Sequence, residues 1–123
     1  MARVLIVDDT DIVRRALEVA VRRMGHTAVS SADAVEALAM AQRQPPDLAL
    51  LDYRMPGMDG ALLFHELHAS LGDRCPKVLW VSATPREEVL RETAADGPPA
   101  GFVRKPFHLD DLVRLVEDAL GKA

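Results

Sequence analysis

Short aliphatic blocks recur along the chain, and each runs straight into a polar side chain. Val4-Leu5-Ile6-Val7 is followed by Asp8-Asp9, Leu48-Ala49-Leu50-Leu51 by Asp52, and Val78-Leu79-Trp80-Val81 by Ser82. A shorter block, Gly101 to Arg104, ends at Lys105. Runs of about four apolar residues without alternation read as strands covered on both faces, and such strands need helices above and below them.

The intervening segments supply those helices. Ile12, Ala16, Leu17, Val19, Ala20 and Met24 recur at helical spacing up to Gly25, a C-terminal stop. Thr27 to Ser30 reads as a weak second strand. Asp33 to Glu36 resembles a capping box and opens a helix that Pro45-Pro46 ends. Pro56-Gly57 is a turn, Asp59 an N-cap, and Leu62, Leu63, Leu67 and Leu71 predict a third helix. Thr84-Pro85-Arg86-Glu87 predicts a helix with Thr84 as N-cap and Pro85 in its first position. That helix should end by about Asp96, because Gly97-Pro98-Pro99-Ala100 makes a stiff extended link. Leu109, Leu112, Val113, Val116 and Leu120 mark the last helix. Five strands alternating with five helices predict an α/β fold, a (βα)5 doubly wound five-stranded parallel sheet.

The chain of 123 residues suffices for one domain. Fifteen basic against nineteen acidic residues leave a net charge of −4, which excludes nucleic acid or an anionic membrane surface as a partner bound by charge alone. Cys75 is the only cysteine, so neither an intrachain disulfide nor an all-cysteine metal site can form; it lies in a loop without evident function. The first apolar run is too short for a signal peptide, and a cytoplasmic setting is expected.

Ligands of doubly wound sheets collect at the carboxyl ends of the strands. The residues expected there are Asp8, Asp9, Asp52, Ser82 and Lys105. Two carboxylates about 4 Å apart at an effective dielectric of about 20 repel by roughly 4 kcal/mol. The cluster therefore calls for a cation or a proton. Oxygen donors without His or Cys favour a hard ion, Mg2+ before Ca2+. Three aspartates, one lysine and one Mg2+ sum to neutrality, and a neutral site with an ammonium and a hydroxyl can receive a phosphoryl group. Asp52 ends the middle strand before a tight turn and is the candidate nucleophile, giving an acyl phosphate.

The motifs VLIVDD, LLDYRMPGMDG, VLWVSA and GFVRKPF, in this order, resemble a response-regulator receiver domain over Arg3 to Leu120. The resemblance implies the flavodoxin-like strand order 2-1-3-4-5 and a single receiver domain over residues 1–123, with no output domain in this chain. It implies Asp52 as phosphoacceptor, Asp9, Asp52 and the Arg54 backbone carbonyl as direct Mg2+ ligands (Mn2+ being an alternative ion), and Asp8 as a ligand through water. Ser82 becomes the phosphate-binding switch hydroxyl, Lys105 the phosphate-binding lysine, Phe102 the rotating switch aromatic, and Lys105-Pro106 a cis bond. Arg54 and Thr84 border the phosphoryl group and modulate its lifetime, with the Arg54 guanidinium expected over the site. The donor would be a histidine kinase or histidine phosphotransfer protein, and the output face helix 4, strand 5 and helix 5. That output would act on a downstream protein partner or a fused output domain, with the chain a monomer or a phosphorylation-dependent dimer. No paired acids precede strand five, which argues against the symmetric dimer of winged-helix members. The start at Met1 favours an N-terminal position.

Other readings compete. The same fold serves as a protein-interaction module that is never phosphorylated; the complete acid, hydroxyl and lysine set argues against it. An aspartyl-phosphate phosphatase needs a second acid soon after its nucleophile, where this chain has Arg54. A phosphoacceptor that only assists its own chemistry, not an enzyme, is expected. A flavin-binding domain is disfavoured, since this chain has no phosphate-cradling Gly/Ser/Thr loop after strand one and just one Trp and one Tyr. His65 and His68 share a helix face but are expected to be exposed without a third ligand, and Trp80 is expected in the core beneath the site.

Overall fold

A computed structural model describes residues 1–121 of the chain, so Lys122 and Ala123, the last two residues of the expected domain, lie outside the described residues. The strands are β1 Arg3–Val7, β2 Thr27–Ser31, β3 Leu48–Leu51, β4 Lys77–Ser82 and β5 Gly101–Arg104. The helices are α1 Asp11–Arg23, α2 Ala34–Arg43, α3 Gly60–Leu71, α4 Arg86–Glu92 and α5 Leu109–Ala119. All strand pairs are parallel, and the order is β2-β1-β3-β4-β5. The parallel (βα)5 sheet and its order agree with the sequence reading.

Strand periodicity divides the aliphatic blocks between two cores. Leu5, Val7, Ala49, Leu51, Val78 and Trp80 face α2, α3 and Val89 of α4. Val4, Ile6, Leu48, Leu50, Leu79, Val81 and Val103 face α1 and α5. This is why the blocks do not alternate: both faces of the sheet are dry. Trp80 is fully buried, with the Tyr53 ring edge-on at 5.6 Å and Phe64 tilted at 5.3 Å. Gly60 makes room for it. A Cβ there would meet the Asp52 carbonyl at 2.5 Å and Trp80 Cζ3 at 2.8 Å. Among the described residues, no helix is long and apolar enough to cross a membrane.

Several local expectations differ from the structure. Ile12, Ala16 and Val19 lie on the exposed side of α1, with Ile12 82% exposed, while Leu17, Ala20 and Val21 are buried. An α1 packed over one sheet face buries a narrower stripe than its apolar content suggests. Leu62 and Leu109 are exposed for the same reason, each in the first turn of its helix. Helix α4 starts one residue later than predicted. Pro85 is its N-cap, and the buried Thr84 instead donates its backbone N–H to Ser82 Oγ. At α2, Asp33 caps Val35 as expected, but Glu36 accepts from the Ser31 hydroxyl instead of closing a capping box; Ser31 Oγ itself takes the Asp33 N–H. Asp59 does cap α3, through the Leu62 N–H at 2.9 Å. The fourth helical segment finishes in a 3-10 turn at Ala94–Asp96, followed by the extended link.

Candidate functional site

The parallel ladder continues past the strand ends and thereby places the polar residues. Asp8 N–H donates to the Ser31 carbonyl at 3.2 Å, Asp52 N–H to the Val7 carbonyl at 2.9 Å, and Lys105 N–H to the Ser82 carbonyl at 3.0 Å. Backbone pairing thus locates the first residue after β1, β3 and β5, and their side chains converge where the chain leaves the paired strands β1 and β3 for helices on opposite faces of the sheet.

One carboxylate oxygen from each of Asp8, Asp9 and Asp52 lies within 4.8 Å of the others. Asp8 is fully buried and Asp52 nearly so, while Asp9 is exposed. Lys105 Nζ donates to Asp8 Oδ2 at 2.7 Å and lies 3.4 Å from Asp52 Oδ2. Asp8 Oδ1 accepts from the Thr10 N–H at 2.9 Å. Three acids against one ammonium leave net negative charge in a buried corner, and the donors are all hard oxygens. This set fits a small divalent cation, which the Asp8, Asp9 and Asp52 carboxylates could hold.

The titration of the site reflects its burial. Loss of hydration pushes the Asp52 carboxyl up from 3.8 to about 6; Lys105 pulls it down, and Asp8 and Asp9 push it up. Burial acts to lower the proton affinity of Lys105, but the hydrogen bond to Asp8 and the charges of Asp52 and Asp8 outweigh this, and its pKa is raised. Lys105 therefore stays an ammonium.

Ser82 is buried at the end of β4, and its Oγ accepts from the Thr84 N–H at 3.1 Å. Asp9, Asp52, Arg54, Ser82, Thr84 and Lys105 all line one open cavity of about 390 Å³. Phe102 is half-buried, pairs in register with Trp80, and packs against the α2–α3 core. Lys105-Pro106 is a cis peptide bond, as expected. Arg54, which lines that cavity, has its guanidinium Nη2 2.6 Å from Glu88 Oε2 of α4. His65 is exposed and pairs with Asp96 at 2.7 Å. His68 is half-buried instead of exposed, with Nδ1 2.9 Å from the Phe64 carbonyl and its ring edge-on to Phe64.

Residues outside the sequence reading complete the site's frame. Arg14 Nη1 donates to the Asp8 carbonyl at 2.8 Å, which holds the turn carrying the acid pair. The Tyr53 hydroxyl donates to Glu92 of α4. The spacing of Glu88 and Glu92, one helical turn apart, is the signal for a shared face, but nothing in the sequence says that it faces the turn after Asp52.

The family described as response regulator receiver domain matches residues 4–117. Among curated proteins, the regulatory protein AtoC of Escherichia coli is 38% identical over 96% of the chain, covering 25% of its own length. The transcriptional regulatory protein PdtaR of Mycobacterium tuberculosis is 30% identical over 98% of the chain and 57% of its own length. The chain therefore spans about a quarter to a little over half of these two relatives. Among solved structures, the chemotaxis protein CheY4 of Vibrio cholerae superposes with a TM-score of 0.88 at 28% identity, covering 97% of this chain and 98% of that one. The receiver domain of sensor histidine kinase PA1611 from Pseudomonas aeruginosa, solved with a magnesium ion in its active site cleft, has a TM-score of 0.84 at 26% identity, covering 98% of each chain.

Proposed function

Because this chain belongs to the response regulator receiver domain family, we propose that it is a phosphorylation switch of a two-component system with Asp52 as the phosphoacceptor. The observation that carries the reading is the convergence on Asp52: Lys105 Nζ at 3.4 Å, with Asp8 and Asp9 carboxylates within 4.8 Å.

The chemistry follows from these neighbours. An Asp52 carboxylate oxygen attacks the phosphorus of a phosphohistidine on a histidine kinase or phosphotransfer protein. A P–O bond forms to Asp52, the P–N bond breaks, and the donor keeps the electron pair on its imidazole. Below about pH 6 the free site holds Asp52 protonated and poorly nucleophilic. A Mg2+ bound by Asp8, Asp9, Asp52 and the Arg54 carbonyl would neutralise oxygen charge there. Lys105, kept charged by Asp8, faces the incoming phosphoryl oxygens and compensates their charge. Ser82, released from the Thr84 N–H, offers its hydroxyl to a phosphoryl oxygen. Phe102 follows into the space beside Trp80, and the α4–β5–α5 face changes its population. Moving such an equilibrium from 1:99 to 99:1 takes about 5.5 kcal/mol of differential stabilisation. The output acts on a downstream protein or on a domain of a longer chain.

The test is labelling with acetyl phosphate and Mg2+, read by intact mass and by lability to hydroxylamine. The parent should acquire one phosphoryl group and Asp52→Asn none. Equal labelling of the variant, or no labelling of the parent, would sink the assignment. Beryllium fluoride with Mg2+ should also change the fluorescence of Trp80, whose ring packs on Tyr53 next to Asp52.

A further inference from the structure

The two residues after Asp52 both reach α4, and they reach it with unequal strength. Tyr53 is buried, its ring packed on Trp80, and its hydroxyl donates to Glu92. Arg54 is 68% exposed along its side chain and pairs with Glu88 at 2.6 Å. Glu88 and Glu92 lie one turn apart on the same face of α4. The helix is therefore tied to the phosphoacceptor turn at two points, a part-buried one near its end and an exposed, wet one in its first turn.

The wet tie has a competitor built into the site. Arg54 lines the same cavity as Asp52, Ser82 and Lys105. A phosphoryl group on Asp52 would add about −2 charge and three strong acceptor oxygens to that cavity. A guanidinium matches phosphoryl oxygens with two parallel N–H donors, whereas a single ion pair in which the arginine stays largely in solvent holds it weakly. We propose that Glu88 is a positioning residue: it parks Arg54 on α4 in the unphosphorylated protein, and phosphorylation of Asp52 draws Arg54 from Glu88 onto the phosphoryl oxygens. The exchange has two consequences. Arg54 covers the acyl phosphate against water, and the first turn of α4 loses one anchor while the Tyr53–Glu92 tie keeps its other end attached. Arg54 and Glu88 thereby couple the site to α4 by a route separate from Ser82 and Phe102. The inference rests on Asp52 being the phosphoacceptor.

The experiment measures acyl-phosphate lifetime after labelling with acetyl phosphate and Mg2+ for the parent, Glu88→Gln, Arg54→Ala and the double variant. Arg54→Ala leaves the backbone carbonyl in place. Glu88→Gln should lengthen the lifetime about two- to fivefold, the range an exposed ion pair allows, and Arg54→Ala should shorten it. In the Arg54→Ala background, Glu88→Gln should have no effect. A second readout needs no turnover: amide hydrogen exchange of residues 86–90, with and without beryllium fluoride and Mg2+. The ligand should speed exchange in the parent, while Arg54→Ala should exchange fast already and respond little. A parent that labels normally but whose lifetime ignores Glu88→Gln, or an effect that persists without Arg54, overturns this inference alone. A parent that does not label overturns the function proposed for Asp52 and this inference with it.

Discussion

Replacing Asp52 by Asn should make the metal-free protein more stable at neutral pH, although it removes the residue on which the proposed function depends. Asp52 is 7% exposed, and its burial raises its pKa from 3.8 to about 6. At about 1.36 kcal/mol per tenfold change in proton affinity, the penalty of keeping it charged in the folded state is about 3 kcal/mol. The sign follows from the raised value. Below pH 3.8 the carboxyl is protonated folded and unfolded, and it costs nothing. As pH rises from 3.8 to about 6 the unfolded carboxyl ionises while the folded one keeps its proton, and stability is lost until the folded group ionises too. Asn is neutral at every pH and has nearly the same volume. Its removal of charge leaves Lys105 still paired with Asp8 at 2.7 Å. Denaturant unfolding without Mg2+ should therefore give Asn a gain of about 3 kcal/mol at pH 7.5, or on the order of 10 °C in Tm for a chain of this size. The gain should shrink to about 0.5 kcal/mol at pH 4 and vanish below it. Saturating Mg2+ should close the gap at pH 7.5, because an ion that binds only the folded acids stabilises the parent. A gain of the same size at pH 4 and 7.5, or none at pH 7.5, would refute the burial argument.

Lys105→Met should destabilise the metal-free protein by roughly 3 kcal/mol, since fully buried Asp8 loses its cation, and Mg2+ should restore much of the loss; chemical denaturation with and without the ion measures both. Gly60→Ala should cost about 2 kcal/mol or more, because the new methyl meets the Asp52 carbonyl and the Tyr53 Cα at 2.5 and 2.7 Å, and neither can move without displacing the phosphoacceptor turn; a drop in Tm together with weaker beryllium fluoride binding is the expected signature. His65 has its pKa raised by its hydrogen bond to Asp96, so that pair's contribution is complete below pH 6.5 and is lost as pH rises through the folded value. Urea midpoints of the parent and His65→Gln should accordingly differ at pH 5.5 and coincide at pH 8.5.

The strands were legible because a parallel strand covered on both sides writes itself as an unbroken aliphatic run, and VLIV, LALL and VLWV are three such runs. The acids, hydroxyl and lysine that follow them were legible for the same reason: a residue immediately after a buried strand can only stand at the sheet's edge. Helix faces were read less well. Ile12, Ala16 and Val19 fit the helical period yet lie exposed, because the width of the buried stripe depends on how α1 sits on the sheet. The N-cap of α4 falls on Pro85, one residue past Thr84, whose N–H is held by Ser82 at the site, a contact invisible to a four-residue pattern.

The sequence by itself determined the order of the elements, the dryness of the sheet and the identity of the residues at its carboxyl edge, since these depend on local periodicity and on where each apolar run stops. Only the tertiary structure decided which distant groups meet. Lys105 on Asp8, Tyr53 on Glu92 and Arg54 on Glu88 join residues up to 97 positions apart. Such partners are selected by how helices seat on the sheet and by which charges remain unpaired once water is excluded, and no pattern in neighbouring residues carries that information.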